Sequence, residues 1–183
     1  MNQFPKTIEN GIGEKIVFKE LVREPDGDRL ILHGWVQPKS GPPMHVHYKQ
    51  DESITVKKGQ ISYQVLGGPE QLAREGESVM FTRGTPHRFW NSGTDVAQVE
   101  GWAKPANNLQ FFLSAIYEAQ NRSGKGQPEQ FDGAYLLTRY RSEYAMLEIP
   151  GFVRKVIFPL TYVIGRLSGK YNKFKDAPAP LPR

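Results

Sequence analysis

The chain contains no cysteine. Disulfides, thiolate metal ligands and cysteine nucleophiles are therefore excluded together. It also lacks any apolar run approaching the roughly 20 residues that a membrane-spanning helix needs. Its first residues, MNQFPKTIEN, carry neither the basic stretch nor the apolar core of a secretory signal. These absences set the expectation of a cytoplasmic protein. Acidic residues are scarce at one end. After residue 150, Arg154, Lys155, Arg166, Lys170, Lys173, Lys175 and Arg183 stand against the single acid Asp176. The net charge of +5 thus resides in the last part of the chain, and residues 1–150 are close to neutral. No RNP, helix-turn-helix or zinc-finger pattern accompanies these cations, so no nucleic-acid partner is expected.

Turn-forming residues, by contrast, are plentiful: 18 Gly and 14 Pro in 183 residues. That favours many short strands over few long helices. EKIVFKELV and LILHGWV read as strands on either side of the turn REPDGDR. ESITVKKGQISYQVLGG reads as two strands around Lys57-Lys58-Gly59, ESVMFTRGTPHRFWNSG as two more around Arg83-Gly84, and VAQVEGWA closes the series. Short strands recurring about every ten residues, with no helix between them, predict an antiparallel sandwich or small barrel over residues 1–105. The pattern changes near Pro105. Leu109, Phe112, Leu113 and Ile116 fall on one face at helical spacing, with an Asn N-cap candidate before them and Gly124 as a stop. AYLLTRYRSEYAML predicts a second helix and GFVRKVIFPLTYVIGRLSGKY an apolar third segment interrupted by Pro159. Residues 106–183 are thus expected to form a helical extension packed on the barrel or on a partner subunit, with a disordered or extended tail from about 175.

Chemistry concentrates in GPPMHVHYKQDES, residues 41–53. Residues two apart in a strand share a face, so His45 and His47 look one way while Met44, Val46 and Tyr48 look the other. In ESITVK, Glu52 shares the parity of the apolar Ile54 and Val56. Glu52 therefore points inward and Asp51 outward. An inward carboxylate is costly unless paired or bound to a cation, and two histidines facing the same interior offer that cation a site. A second cluster, GESVMFTRGTPHRFWN, brings a third imidazole, His87, just after a Gly84-containing turn. Arg83 and Arg88 are expected to reach solvent.

Together these stretches resemble the two motifs of the cupin family. Gly41, His45-x-His47, Glu52 and Gly59 match the first, and Gly76, Arg83-Gly84, His87 and Asn91 the second. Thr82 stands where the second motif usually has proline, a turn position that puts no ligand in doubt. The match covers roughly residues 13–104. The resemblance implies a mainly β fold, an antiparallel jelly-roll barrel, that binds one metal through His45, His47, Glu52 and His87. Trp35, Ile54, Val56, Phe81 and Phe89, as barrel core, would also be pocket walls.

Three neutral imidazoles and one carboxylate leave a divalent ion with a charge of about +1 and, at five or six coordination, one or two open positions. Tetrahedral zinc would be saturated by the same four ligands. The set therefore favours iron, manganese, nickel or cobalt for catalysis, with zinc a candidate in isolated protein. The function expected is a metal-dependent, dioxygenase-like enzyme acting on a small organic molecule, with Glu52 serving as a base on leaving the metal. No acid or base outside the ligand set is evident. The alternatives are a non-catalytic small-ligand binding or sensing module and, with less support, a sugar isomerase or epimerase, for which only His33 and Tyr63 offer an acid–base pair. A homodimer is expected, because exposed sheet edges are commonly paired. Contact of the basic, apolar C-terminal segment with a membrane surface is the less favoured reading of that segment.

Overall fold

The computed structural model describes residues 4–182; Met1, Asn2, Gln3 and Arg183 lie outside it. In chain order the strands are β1 (Lys6–Glu9), β2 (Glu14–Val22), β3 (Arg29–Val36), β4 (His45–His47), β5 (Asp51–Lys58), β6 (Gln60–Val65), β7 (Gln71–Arg74), β8 (Ser78–Phe81), β9 (His87–Trp90), β10 (Ala97–Lys104) and β11 (Tyr144–Met146). They form two sheets with antiparallel pairing throughout, ordered β1-β2-β3-β10-β5-β8 and β11-β4-β9-β6-β7. This is the jelly-roll barrel expected.

Alternation builds its interior: Ile54 and Val56 are buried while Lys57 and Lys58 are exposed. One end of the interior is filled by Ile54, Val56, Ile61, Val79 and Phe81. Removing each such side chain from water contributes roughly 1.5–3 kcal/mol. The strands around Lys57-Lys58-Gly59 do not pair with each other. Gly59, at φ +80°, turns the chain from the first sheet (β5) into the second (β6), and Gly84, at φ +81°, lies in the matching crossing from β8 to β9. Those two crossings bring Glu52 and His87, on different sheets, toward the same interior.

Helix α1 (Leu109–Ser123) ends in Gly124, whose left-handed φ of +64° lets its N–H reach the Gln120 carbonyl. Asn108 precedes the helix but makes no side-chain cap; its amide nitrogen donates instead to Glu143 and to the Ala179 carbonyl. Leu109, Phe112 and Ile116 are buried together with Phe18 and Leu30 of the first sheet, so the helix closes the second end of the interior.

Helix α2 (Gln130–Arg139) is capped by Glu129, which accepts from the Phe131 and Asp132 N–H groups at 3.1 and 3.2 Å. It is shorter than the sequence pattern predicts. Residues 144–146 leave it to form β11, whose Tyr144 and Met146 lie opposite His47 and His45. The free backbone edge of β4 explains the change: pairing there satisfies an exposed ladder and buries Tyr144 against Phe112, with ring centroids 4.3 Å apart.

The third apolar segment is helical, a π-helical stretch (Val153–Ile157) running into α3 (Phe158–Leu167). Pro159 has no N–H to donate to the preceding turn, which accounts for the irregular entry. α3 packs on α2 rather than on the barrel. Of the two expectations for the tail, the described residues 177–182 follow the extended one, outside any helix or strand, and are tied down. The Tyr140 hydroxyl donates to Pro178 O (2.7 Å), the Ser142 hydroxyl to Leu181 O (2.6 Å), and the Leu181 N–H to Glu143 Oε1 (3.0 Å). Pro178, Pro180 and Pro182 restrict the unfolded alternatives, so few bonds suffice to hold the segment.

Candidate metal centre

β4 is only three residues long, but all three are buried because β9 and β11 flank it on both sides. His45 lies directly across from His87, and their ring centroids are 4.4 Å apart. The Nδ1 of His45 lies 2.9 Å from the Pro43 carbonyl, and the Nδ1 of His87 lies 2.9 Å from the Thr85 carbonyl. A carbonyl can only accept, so each Nδ1 carries a proton and each Nε2 is the ring atom turned toward the shared interior. His47 is oriented differently. Its ring stands edge-on to Tyr144 at 5.5 Å, and the Tyr144 hydroxyl accepts from Gln50 Nε2 at 3.1 Å. His47 Nδ1 and Gln50 Oε1 are both buried without a partner. Glu52 arrives from the opposite sheet, with Oε2 3.1 Å from His87 Nε2 and 3.5 Å from His47 Nε2.

The four predicted ligands, His45, His47, Glu52 and His87, are thus brought together, with one ligand atom from each inside a 4.8 Å span. Two ligands opposite each other on one ion stand about 4.2 Å apart, so side-chain shifts of a few tenths of an ångström would close the shell. The donor set fits a cation on electrostatic grounds as well. His87 Nε2 and the Glu52 carboxylate face each other at 3.1 Å, a pairing that needs a proton or a metal ion between them. Burial, joined by the neighbouring His47 and His87, pushes His45 down to about 3; burial also lowers His47, against the pull of Glu52. Burial alone would raise Glu52, but the His87 hydrogen bond and the surrounding imidazoles outweigh it and bring the group down to about 2. The imidazoles of His45 and His47 are therefore neutral and Glu52 is ionised at neutral pH, the forms that ligate metal.

Asp51 points outward, as alternation predicts. It accepts from the Arg83 backbone N–H (2.7 Å), Nε (3.1 Å) and Nη2 (2.7 Å). Arg83, half exposed, is thereby fixed, and with it the turn that leads to His87. Arg88 lies over the Trp90 ring at 4.8 Å.

A cavity of about 120 Å³ opens onto His45, His47 and Glu52. Ile54 and Phe89 line it as predicted. Trp35 borders it, but alternation along β3 turns its ring to the outer face, where Lys15 Nζ sits 5.3 Å from the centroid. Val56 and Phe81 are not walls. They belong to the filled end of the interior, and Phe81 instead stacks on His87 at 3.8 Å, fixing its ring plane.

Two polar groups border the same cavity: Glu14 from β2 and Tyr117 from α1. Asn10 is buried and accepts from the Glu14 and Ile12 N–H groups, and its amide nitrogen donates to Glu14 Oε2 at 2.6 Å. Burial raises Glu14 to about 6, against the lowering effect of the Asn10 and Tyr117 hydrogen bonds. Burial and the nearby Glu14 hold the Tyr117 hydroxyl protonated. An acid–base group therefore exists outside the ligand set. Glu14, Ile16 and Phe18 share one parity in EKIVFKELV, so the alternation that selects Glu52 also turns Glu14 inward. Tyr117 carries no such signal, since the docking side of a helix is set by tertiary packing.

Because the folded-state value of Glu14 lies above the ordinary 4.5, its contribution to stability is fully present below 4.5 and is lost as pH rises through about 6. Glu14→Gln is accordingly expected to raise Tm relative to the parent at pH 8 and to give little or no gain at pH 4.5. Thermal unfolding at the two pH values measures this.

A double-sheet barrel with three imidazoles and one carboxylate converging beside an internal cavity defines a jelly-roll protein whose side chains could hold a metal ion. Residues 35–99 match the Cupin domain family, so the chain contains a cupin domain. Among curated proteins it is similar to the oxidoreductase iacF of Pestalotiopsis fici, 31% identical over 110 residues, covering 55% of this chain and 53% of that one. It is also similar to the probable oxidoreductase virH of Hypocrea virens, 32% identical over 68 residues, covering 36% and 31%. The chain therefore aligns with about half or less of the length of these relatives. Among solved structures, an RmlC-like cupin from Shewanella frigidimarina aligns with a TM-score of 0.47 at 14% identity, covering 60% of this chain and 92% of that one.

Proposed function

We propose that the protein is a metal-dependent oxidoreductase, dioxygenase-like, acting on a small, largely apolar organic molecule. The observation that carries this reading is a group of four converging ligands, three of which (His45, His47 and Glu52) line a cavity that Glu14 and Tyr117, a separate proton-transfer pair, also line. The oxidoreductase names of the two curated relatives support it. The cavity is of the size that holds about one aromatic ring. A divalent iron, manganese, nickel or cobalt ion held by His45, His47, Glu52 and His87 would supply Lewis acidity and a redox couple. The chain's own residues do the rest. Ile54, Phe89 and Leu113 exclude water from the bound molecule. Glu14, poised near neutrality, takes the proton of an acidic hydroxyl or enol, and the Tyr117 hydroxyl donates a hydrogen bond to the oxygen left behind.

The test is anaerobic loading with ferrous iron followed by oxygen uptake in the presence of flavonols, catechols and 1,3-diketones. Uptake above that of metal-free protein, lost in His87→Ala, is expected with at least one of these classes. No uptake with any of them would contradict the proposal. A second reading, a ligand-binding or sensing module, draws on one observation: Leu109, Leu113 and Tyr117 of α1 form part of the cavity wall, so a bound ligand touches the helical extension directly. Ligand-dependent protection of residues 106–170 in hydrogen exchange, without turnover, would favour it. The sugar isomerase reading has less support: His33 lines the cavity with Glu100 3.4 Å from its Nε2, but the Tyr63 hydroxyl donates to Gln71 at 2.9 Å and is not part of the cavity wall.

A further inference from the structure

The helical segment of residues 152–167 is amphipathic in the wrong sense for a helix packed on a protein. Its inward face is narrow: Thr161 and Gly165 are the buried positions of α3, Tyr162 beside them is half-buried against Tyr135 and Tyr171, and Tyr171 packs so close over Gly165 that an added Cβ would lie 2.4 Å from its ring. Its large apolar residues face out. Phe152, Val156, Leu160, Val163, Ile164 and Leu167 recur at three- and four-residue intervals, which places them along one side, and all are exposed, Leu160 at 57% and Leu167 at 83%. A soluble helix normally turns such a stripe to the core. A contiguous exposed stripe marks an interaction site.

Charge identifies the partner. From residue 149 to residue 175 the chain has Arg154, Lys155, Arg166, Lys170, Lys173 and Lys175 and no acidic residue. Lys173 is neutralised by the buried Asp132 at 2.5 Å; Lys155, Arg166 and Lys175 have no acidic partner among the described residues. A second copy of the chain is a poor occupant. A twofold interface sets the same patch against itself, so these cations would face one another with no counter-charge between them. The other side of α3 is already taken by α2.

An apolar stripe bordered by lysine and arginine is complementary to a surface that is apolar just beneath a layer of negative charge. We propose that residues 152–167 dock this protein on the surface of an anionic phospholipid membrane, with the Phe152–Leu167 stripe inserted among the acyl chains near the headgroups and the flanking cations on the lipid phosphates. No helix among the described residues is long and apolar enough to cross a membrane, so the contact is peripheral. The stripe lies away from the ligand cavity, which is lined by α1 and the sheets. Docking would therefore leave metal binding untouched and bring the cavity to where lipophilic small molecules partition.

Co-sedimentation of the metal-loaded protein with sucrose-loaded vesicles tests this. Partitioning onto phosphatidylcholine containing about one-third phosphatidylserine is expected to exceed that onto phosphatidylcholine alone by about tenfold or more, and to fall steeply as salt is raised. Leu160→Glu with Leu167→Glu, and separately Lys155→Glu with Arg166→Glu, should each abolish the anionic preference while metal content stays at the parent level, which also shows that the variants fold. Absence of binding to the anionic vesicles overturns the proposal, as does binding unchanged by both pairs of substitutions. A dimer that Leu160→Glu dissociates, seen with no vesicle binding, also overturns it and assigns the stripe to a second copy.

Discussion

His87→Ala is expected to weaken metal binding by about 100-fold or more and to remove any metal-dependent activity, with His45→Ala nearly as severe. His87 is the hinge of the centre. Its Nδ1 is fixed by the Thr85 carbonyl, its plane by Phe81 at 3.8 Å, and its Nε2 faces Glu52 at 3.1 Å. Loss of an orienting outer group alone typically costs 10- to 100-fold in affinity, so loss of the ligand itself must cost at least about as much. Asp51→Asn provides the contrast. Asp51 is adjacent to Glu52 in sequence but faces Arg83, so the substitution breaks an ion pair that steadies the turn before His87 and leaves every ligand in place. Metal stoichiometry at saturation should be unchanged in Asp51→Asn, with affinity reduced only a few-fold. Titration of metal-free protein followed by elemental analysis distinguishes the three variants.

Gly41→Ala is expected to be among the most damaging single-methyl additions in the molecule. Gly41 adopts φ +155°, and a Cβ there would lie 2.1 Å from the Phe89 carbonyl oxygen and 2.7 Å from the Trp90 Cα. Those are backbone atoms of β9, so no side chain can rotate away and the strand itself must move. Overpacking that displaces backbone costs typically about 1–3 kcal/mol, with unfavourable φ adding about 1–3 kcal/mol more. β9 carries His87 on the side facing His45, so the same displacement opens the ligand shell. Gly41→Ala should therefore lower Tm and metal affinity together. Gly84→Ala, where φ is +81° but no atom lies within 4 Å of the added carbon, should lower Tm less.

Much of this could be read from the chain because strands encode the side a residue faces. Alternation in ESITVK selects Glu52 over Asp51, and the structure places Glu52 among the imidazoles and Asp51 against Arg83. Facing inward, however, does not say how deep along the barrel a residue sits. Ile54, Val56 and Phe81 share the inward face and all help fill one end, yet of the three only Ile54 also reaches the cavity. Depth depends on how the two sheets register, which no single strand records. The helical region is less legible for a related reason. Tyr144–Met146 has helix-compatible neighbours, and only the free edge of β4, distant in sequence, draws it into a strand. Tyr117 reaches the cavity because α1 docks over one end of the barrel, a choice made by Phe112 and Ile116 packing with Phe18 and Leu30.

The central claim is that His45, His47, Glu52 and His87 form one metal centre at the wall of the cavity. Anomalous diffraction from a crystal of the metal-loaded protein, recorded at the absorption edge of the metal supplied, tests it most directly. A single dominant peak is predicted at about 2.0–2.2 Å from the Nε2 atoms of His45, His47 and His87 and from a Glu52 carboxylate oxygen. A dominant peak elsewhere on the molecule, or none among these four side chains with metal in excess, would contradict it.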